Sequence, residues 1–432
     1  LQVLEQADYL SQKYHVVVAN PPYMGNKGIN GRLGVFLKDN YEDVKSDLFS
    51  AFVVRCATLG VENANIGIMS PNVWMYLASF EKLRSYLLKT KTLTSLVELP
   101  LTGFTGATVQ ICSYIFINKS YKKLQGYFIR LVDFKGSDKE MAEYTKEALT
   151  SKECNYIFKS STEDFEKISG FPIAYWIGTK TRDCFNLLSP MSSIADCRAG
   201  LTTGDNYLFQ REWFEISLQK SLFTASNREE ALMSHKKWFP CNSGGDYRKW
   251  YGNQETLVNW HNDGVEICTF STPEGRLKAS PRSKVYYFQE SVTWSKISSG
   301  KFSPRFTPHG FIFDDTGQSA FPKSKDLDAK KMASLICSKA YAYLISFISQ
   351  TVSFNKGDVE RIPIPSDINW NEVNPDNLIN ISKDDWDAYE RSWNFKTLQL
   401  LNIKFKEKLL EKSYSKIKEF WQIQTDEMRK SE

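Results

Sequence analysis

Metal chemistry and membrane spanning are the first things this sequence lacks residues for. Its 8 Cys (56, 112, 154, 184, 197, 241, 268 and 337) never fall at a Cys-x-x-Cys spacing, and its 4 His (15, 235, 261 and 309) are scattered. That pattern excludes a zinc cluster, so no metal is expected, and it argues against a disulfide framework. The cysteines read as buried free thiols in a reducing cytoplasm. No apolar run approaches the roughly eighteen residues of a membrane span, and no secretory leader is visible, so no membrane partner is expected. Gly-x-Gly-x-x-Gly and Walker patterns are absent too, which excludes the familiar phosphate loops. The segment holding Gly25, Gly28, Gly31 and Gly34 among Asn26, Lys27, Asn30 and Arg32 reads as a loop, either over a site or plain surface. No Pro-Asp…Glu-x-Lys cluster stands out, so a nuclease is not read here. The first residue is Leu1 rather than Met, which suggests a piece of a longer protein.

What is present fits two or three domains. The chain has 432 residues, 42% hydrophobic and 24% charged, both ordinary for a globular protein. Aromatics reach 14%, an excess that calls for a use. Net charge is only +5, so any anion-binding surface must come from local clustering.

The chain is organised around residues 15–19, His15-Val16-Val17-Val18-Ala19, and the Asn20-Pro21-Pro22-Tyr23 that follows. The first five predict a buried parallel strand. Pro21 and Pro22 lack amide donors and fix φ, so the chain must leave the sheet at its carboxyl end, where open α/β sheets bind ligands. A carboxamide, free carbonyls and a phenol ring together suit an aromatic amine; an ordinary strand-ending turn is the plainer reading. A helix is predicted from Ser46-Asp47 to Gly60, with Phe49, Phe52, Val53 and Cys56 on one face. A strand at 65–70 closed by Pro71, a helix over about 76–89 and strands at 93–99 and 108–117 follow. This alternation predicts a mostly parallel α/β sheet with helices on its faces, its last two strands antiparallel at one edge. Alone, such a sheet would leave 15–19 as an apolar edge, an aggregation hazard.

These residues resemble an N6-adenine DNA methyltransferase of the gamma order, in the half from motif IV to motif VIII. The resemblance rests on Asn20-Pro21-Pro22-Tyr23, Asp47-Leu48-Phe49…Phe52, Ser70-Pro71-Asn72 and Gly103-Phe104-Thr105. It implies a Rossmann-like catalytic half over residues 1–170. It implies that a flipped adenine gives its two N6 hydrogens to the Asn20 oxygen and the Pro21 carbonyl, with Tyr23 and Phe104 stacking on the base. Pro22 completes the catalytic turn, and Phe52 and Asn20 fall where the family touches S-adenosylmethionine. Read by spacing alone, Phe52 belongs to a core stripe. The family's aromatic-x-Gly-x-Gly cofactor motif is not in this sequence.

After residue 170 short Gly-, Pro- and aromatic-rich segments predict an α+β domain over 171–385, then a helical segment over 386–432. One amphipathic helix is predicted over 330–350. From Ile403 through Leu410, Ile417 and Trp421, apolar residues recur about every seven positions, as in a packing helix. Residues 236–251 mix Trp238, Phe239, Tyr247, Trp250 and Tyr251 with Lys and Arg. Residues 276–309 hold seven Lys/Arg against one acid, Glu290. This suits double-stranded DNA, with Arg248, Lys249, Arg276, Lys284, Lys296, Lys301 and Arg305 as candidate contacts; Arg248 and Arg305 are chosen as possible base readers. A solvated face over a strand core that happens to hold the aromatics would look the same.

The blocks Trp238-Phe239-Pro240…Gly244-Gly245-Asp246-Tyr247-Arg248-Lys249-Trp250-Tyr251-Gly252-Asn253, Trp260-His261-Asn262-Asp263-Gly264, Thr293-Trp294-Ser295-Lys296 and Asp384-Asp385-Trp386-Asp387 are similar to PglX-type methyltransferases of BREX phage-defence systems. Single-chain type IIG restriction–modification enzymes are similar as well. The resemblance implies a site-specific adenine-N6 DNA methyltransferase using S-adenosylmethionine, with a target-recognition domain after residue 170 and other defence components as partners. It also implies that this piece alone is inactive. The rival readings are a DNA-binding module without catalysis, or methylation of RNA or a protein amide.

Overall fold

The β-branched run Val16-Val17-Val18 does form a strand, β1 (Tyr14–Ala19), after helix α1 (Gln2–Ser11). In this computed structural model residues 2–25, 27–103, 109–151, 154–298, 300–349 and 353–432 are described. The chain divides into two compact units, Leu1–Leu187 and Leu188–Glu432.

In the first unit, helices α2 (Gly31–Asn40) and α3 (Leu48–Leu59) precede strand β2 (Gly60–Pro71). Helix α4 (Glu81–Thr90), strands β3 (Thr92–Glu98), β4 (Ile111–Ile117) and β5 (Gly126–Arg130), helix α5 (Asp138–Thr150) and strand β6 (Ile157–Ser160) follow. Asn30 caps α2 through a side-chain bond from Leu33 N, so Gly31 and Gly34 lie in a helix and only the first part of the glycine segment is loop. The mixed six-stranded sheet runs β1-β2-β4-β3-β5-β6. β1 is parallel to β2, with Val17 opposite Ile66. β4 does pair antiparallel with β3, but it is inserted between β2 and β3 rather than at an edge. Hydropathy predicted the strand and could not place it. The pairing is decided by the inward rows Ile66 and Ile68, Cys112, Tyr114 and Phe116, and Leu93 and Leu96, all buried in one core with Phe49, Val53 and Leu87.

β1 is an edge strand, so the expectation of a buried strand fails on its outer side. Val16 and Val18 are 61% and 78% exposed. The α3–α4 side of the sheet is closed, whereas α5 covers the opposite face only around Val97, Ile129 and Met69. The rest of that face leaves Val18, Ile115 and Tyr127 open.

The first unit also runs past residue 170. Ile173 and Tyr175 join its core. Buried Arg182 donates to Ser160 Oγ (2.6 Å) and the Tyr175 carbonyl (3.1 Å), which binds the helix Thr179–Leu187 to β6.

The second unit is α+β. One four-stranded sheet is ordered Gln210–Glu212, Thr256–Asn259, Trp238–Asn242, Ile312–Phe313; another is ordered Arg305–Thr307, Ser291–Thr293, Ser319–Pro322, Ala195–Arg198. The helix predicted over 330–350 is two, Ala329–Ile336 and Lys339–Ile348, because Ser338 caps the second through a bond from Tyr341 N (3.0 Å). The C-terminal region is likewise interrupted. Helices Asp376–Asp387 and Leu410–Ser431 flank short 3-10 turns, and of the seven-residue series only Ile417 is buried. Among the described residues no helix is long and apolar enough to cross a membrane, and no group of three His, Cys, Asp or Glu could hold a metal.

Candidate active site

β1 ends as the two prolines require. Asn20 projects beyond the last paired residues at the carboxyl edge of the sheet; Pro21 is buried, and Pro22 and Tyr23 are exposed. The Tyr23 hydroxyl donates to Asn20 Oδ1 at 3.1 Å. The ring of Tyr23 meets buried Phe49 edge-on, 6.5 Å between centroids, and Phe49 leans on Phe80. Burial and then the nearby Cys112 push the Tyr23 phenol above its usual pKa, so it remains a donor.

The turn is pinned to α3 by Asp47. Its Oδ1 accepts from Met24 N (3.0 Å) and from Phe49 N (3.2 Å), so the helix cap and the turn after β1 share one oxygen. Leu48 N returns a bond to the Met24 carbonyl (3.0 Å). Asp47 was legible as a helix start; its second bond was not, because the partner lies twenty-three positions away.

A second cluster, which sequence reasoning missed, ties the carboxyl ends of β2 and β3. Buried Glu98 accepts from Asn72 Nδ2 (2.9 Å) and from the Tyr175 hydroxyl (2.7 Å), and Asn72 Oδ1 accepts from the Tyr76 hydroxyl (3.0 Å). Burial and the Glu98 charge raise both phenols, which keeps them protonated as donors. The available signal was a lone acid inside the apolar strand Leu96-Val97-Glu98-Leu99. Gly103 begins the segment after β3, its amide bonded to the Pro100 carbonyl (2.9 Å), and Phe104 lies outside the described residues.

Phe52 departs from the core stripe expected from its spacing. On α3, between buried Phe49, Val53 and Cys56, its ring is 38% exposed. That leaves an aromatic side chain open to a planar ligand on the helix packed against β1.

The cationic candidates of the second unit separate into two groups. Arg305 is 1% exposed and donates to the Ser303 carbonyl (3.0 Å), and burial pulls its pKa down to about 10. It is a core residue and cannot read a base, which corrects that expectation. Arg248 pairs with Asp385 and stacks 5.0 Å from the Trp386 ring; Lys249 pairs with Glu432 (2.7 Å) and Lys296 with Asp315 (2.6 Å). Lys284 Nζ lies 3.1 Å from Cys268 Sγ and over the Trp260 ring. Arg276 and Lys301 are exposed and make no ion pair among the described residues. Most of the interleaved aromatics are core as well. Trp250, Tyr251, Trp260, Tyr287, Phe288, Trp294, Phe302 and Phe306 are all buried, so they build a core rather than a stacking surface; Tyr247, at 51% exposed, is the exception among those of residues 236–251.

Known proteins are similar to this chain in sequence and in fold. Residues 3–104 match the Eco57I restriction-modification methylase family. Over 407 residues the chain is 36% identical to the adenine-specific methyltransferase BrxX of Escherichia coli O9:H4 (strain HS), covering 93% of this chain and 32% of that protein. Over 398 residues it is 33% identical to the adenine-specific methyltransferase PglX of Lacticaseibacillus casei (strain Zhang), covering 91% and 33%. A nuclease-deletion mutant of the Type ISP restriction-modification enzyme LlaGI, solved in complex with a DNA substrate mimic, shares the fold over 89% of this chain and 36% of its own, with TM-score 0.50 and 12% identity. The chain thus spans about a third of the length of the curated relatives it matches. Over nearly its whole length, a span that includes the Asn20–Tyr23 turn and the mixed sheet, the chain is thus similar to the adenine-specific methyltransferases BrxX and PglX.

Proposed function

We propose that this chain supplies the amine clamp and the target-recognition part of a site-specific adenine-N6 DNA methyltransferase, working in the cytoplasm within a BREX or restriction–modification defence system. The observation that carries the reading is the Asn20–Tyr23 turn at the carboxyl end of β1, held by Asp47 in a chain similar to adenine-specific methyltransferases. Asn20 Oδ1 has two lone pairs, so it can accept a base amine while keeping the Tyr23 bond. Accepting both N6 hydrogens, at Asn20 Oδ1 and the Pro21 carbonyl, leaves the nitrogen lone pair more available for attack. Tyr23 offers a ring face to an extruded base, which must leave the stack to be reached. S-adenosylmethionine, when bound, supplies the electrophilic methyl group, and Phe52 and Asn20 are the residues here that would touch it. Residues 1–187 carry the chemistry in this reading. The region 188–385 grips DNA, with Arg276 and Lys301 available to phosphates and Arg248, Lys249, Lys284 and Lys296 available only on release of their present partners. The helices after 386 support it.

The test is methyl transfer to DNA adenine by the complete protein containing this chain. Asn20→Ala should lower the rate by about 10²–10³-fold, the scale on which a positioned hydrogen-bonding group acts in a transition state. A wild-type rate in the variant would overturn the assignment.

A further inference from the structure

Between Gly275 and Gln289 the chain carries Arg276, Lys278, Arg282 and Lys284 and no acid. The fold makes a ribbon of the first part. Ser271 bridges antiparallel to Leu277, Thr272 N donates to the Arg276 carbonyl (2.8 Å) and Lys278 N to the Phe270 carbonyl (2.9 Å). Residues 271–278 are therefore a tight hairpin closed by a single β-bridge, with Arg276 beside its tip. Arg276, Leu277, Lys278 and Arg282 are all exposed, and none makes an ion pair among the described residues. Lys278 Nζ sits 4.9 Å from the Phe270 ring centroid, and Arg282 Nε donates to Ser280 Oγ (3.2 Å), which leaves the outer guanidinium nitrogens open. Glu274, the one acid at the tip, is exposed and held by Thr272.

The ribbon has a rigid base. Ser280–Pro281 pairs antiparallel with Leu201–Thr202. Gly204, at φ +78°, lies so close that a Cβ there would stand 2.8 Å from the Lys278 backbone carbon. The same turn presents Tyr207, 88% exposed, with the Arg211 guanidinium 5.3 Å from its ring.

We infer that the hairpin of residues 271–278, with the Gly204–Arg211 turn beside it, is the element that enters a groove of duplex DNA. Arg276 reaches a base edge at the tip, and Lys278 and Arg282 contact flanking phosphates. This rests on the DNA-methyltransferase reading above. Two considerations favour it: the major groove admits a two-stranded ribbon as well as a helix, and Arg276, Lys278 and Arg282 stand against one nearby acid, Glu274, with none of the three held in an ion pair among the described residues. The basic residues nearer the core, by contrast, are mostly committed to partners.

The full chain should be titrated with a labelled mixed-sequence DNA duplex over a range of salt. Replacing Arg276, Lys278 and Arg282 together by Ala should lower the slope of log affinity against log salt by about 2–3, near 0.9 for each phosphate no longer neutralised. A charge-matched control at the exposed Lys406, Lys408 and Lys412 should leave the slope unchanged. An unchanged slope in the hairpin variant, or an equal fall in the control, overturns the ribbon assignment alone. Absence of salt-dependent binding in the wild type instead overturns the DNA reading of the unit. In the complete protein, Arg276→Ala should relax the methylated sequence at one position, seen by sequencing the modified adenines; an unaltered sequence overturns the base contact.

Discussion

One carboxylate oxygen of Asp47 holds the amide of Met24 at 3.0 Å while it caps α3, so the turn bearing Asn20 and the helix behind it cannot move independently. Asp47→Ala should cost about 1–2 kcal/mol from the lost cap alone, read by urea unfolding. It should also lower methyl transfer by the complete protein at a DNA concentration that saturates the wild type. Asp47→Asn keeps an acceptor oxygen and should restore most of both. Destabilisation without loss of activity would show that Asp47 only caps the helix.

Tyr23 joins two roles that substitutions can separate. Tyr23→Phe keeps the ring against Phe49 and removes only the bond to Asn20 Oδ1, worth about 0.5–1.5 kcal/mol, so the rate should fall by no more than about tenfold. Tyr23→Ala loses the ring and should weaken retention of the flipped base further. The pH behaviour follows from the direction of the phenol's shift. Its pKa is raised in the folded state, so its contribution is complete below the unfolded value near 10 and is lost only as pH rises through the higher folded value. Activity should show no Tyr23-dependent fall between about pH 7 and 10, and a fall there that Tyr23→Phe removes would contradict the assignment.

Arg305 and Lys301 lie four residues apart yet should behave oppositely. Arg305→Ala empties a fully buried site and should cost roughly 2–5 kcal/mol in thermal or denaturant unfolding. Lys301→Ala, on the surface, should change stability by less than about 0.5 kcal/mol. If Arg305→Ala leaves stability intact and alters DNA affinity instead, its place in the core is wrong.

The open flank of β1 is a strand template with Val16 and Val18 on display. In the isolated chain Val18→Lys should raise the concentration at which light scattering begins, since a charge on an edge strand blocks further pairing. Its midpoint of unfolding should stay near that of the parent, because Val18 is already 78% exposed.

Much of the first unit was legible because its signals are local. The prolines stop β1, Asp47 starts α3, Asn72 follows the strand that Pro71 closes, and each depends on a few neighbouring residues. Strand order was not legible. β4 follows β3 in sequence, and nothing in its composition says that its other edge will meet β2 across the sheet. Nor was the Glu98 cluster, whose donors Asn72 and Tyr175 lie far from it in the chain.

The same division holds for the cations. Sequence alone determined that residues 276–309 are basic and that Asn20-Pro21-Pro22-Tyr23 must leave the sheet at its carboxyl end, since charge and missing amide donors belong to the residues themselves. Only the tertiary structure decided that Arg305 is interior, that Arg248, Lys249 and Lys296 are paired, and that Arg276 stands clear. Exposure and ion pairing depend on partners brought from distant positions, and no property of a single residue carries them.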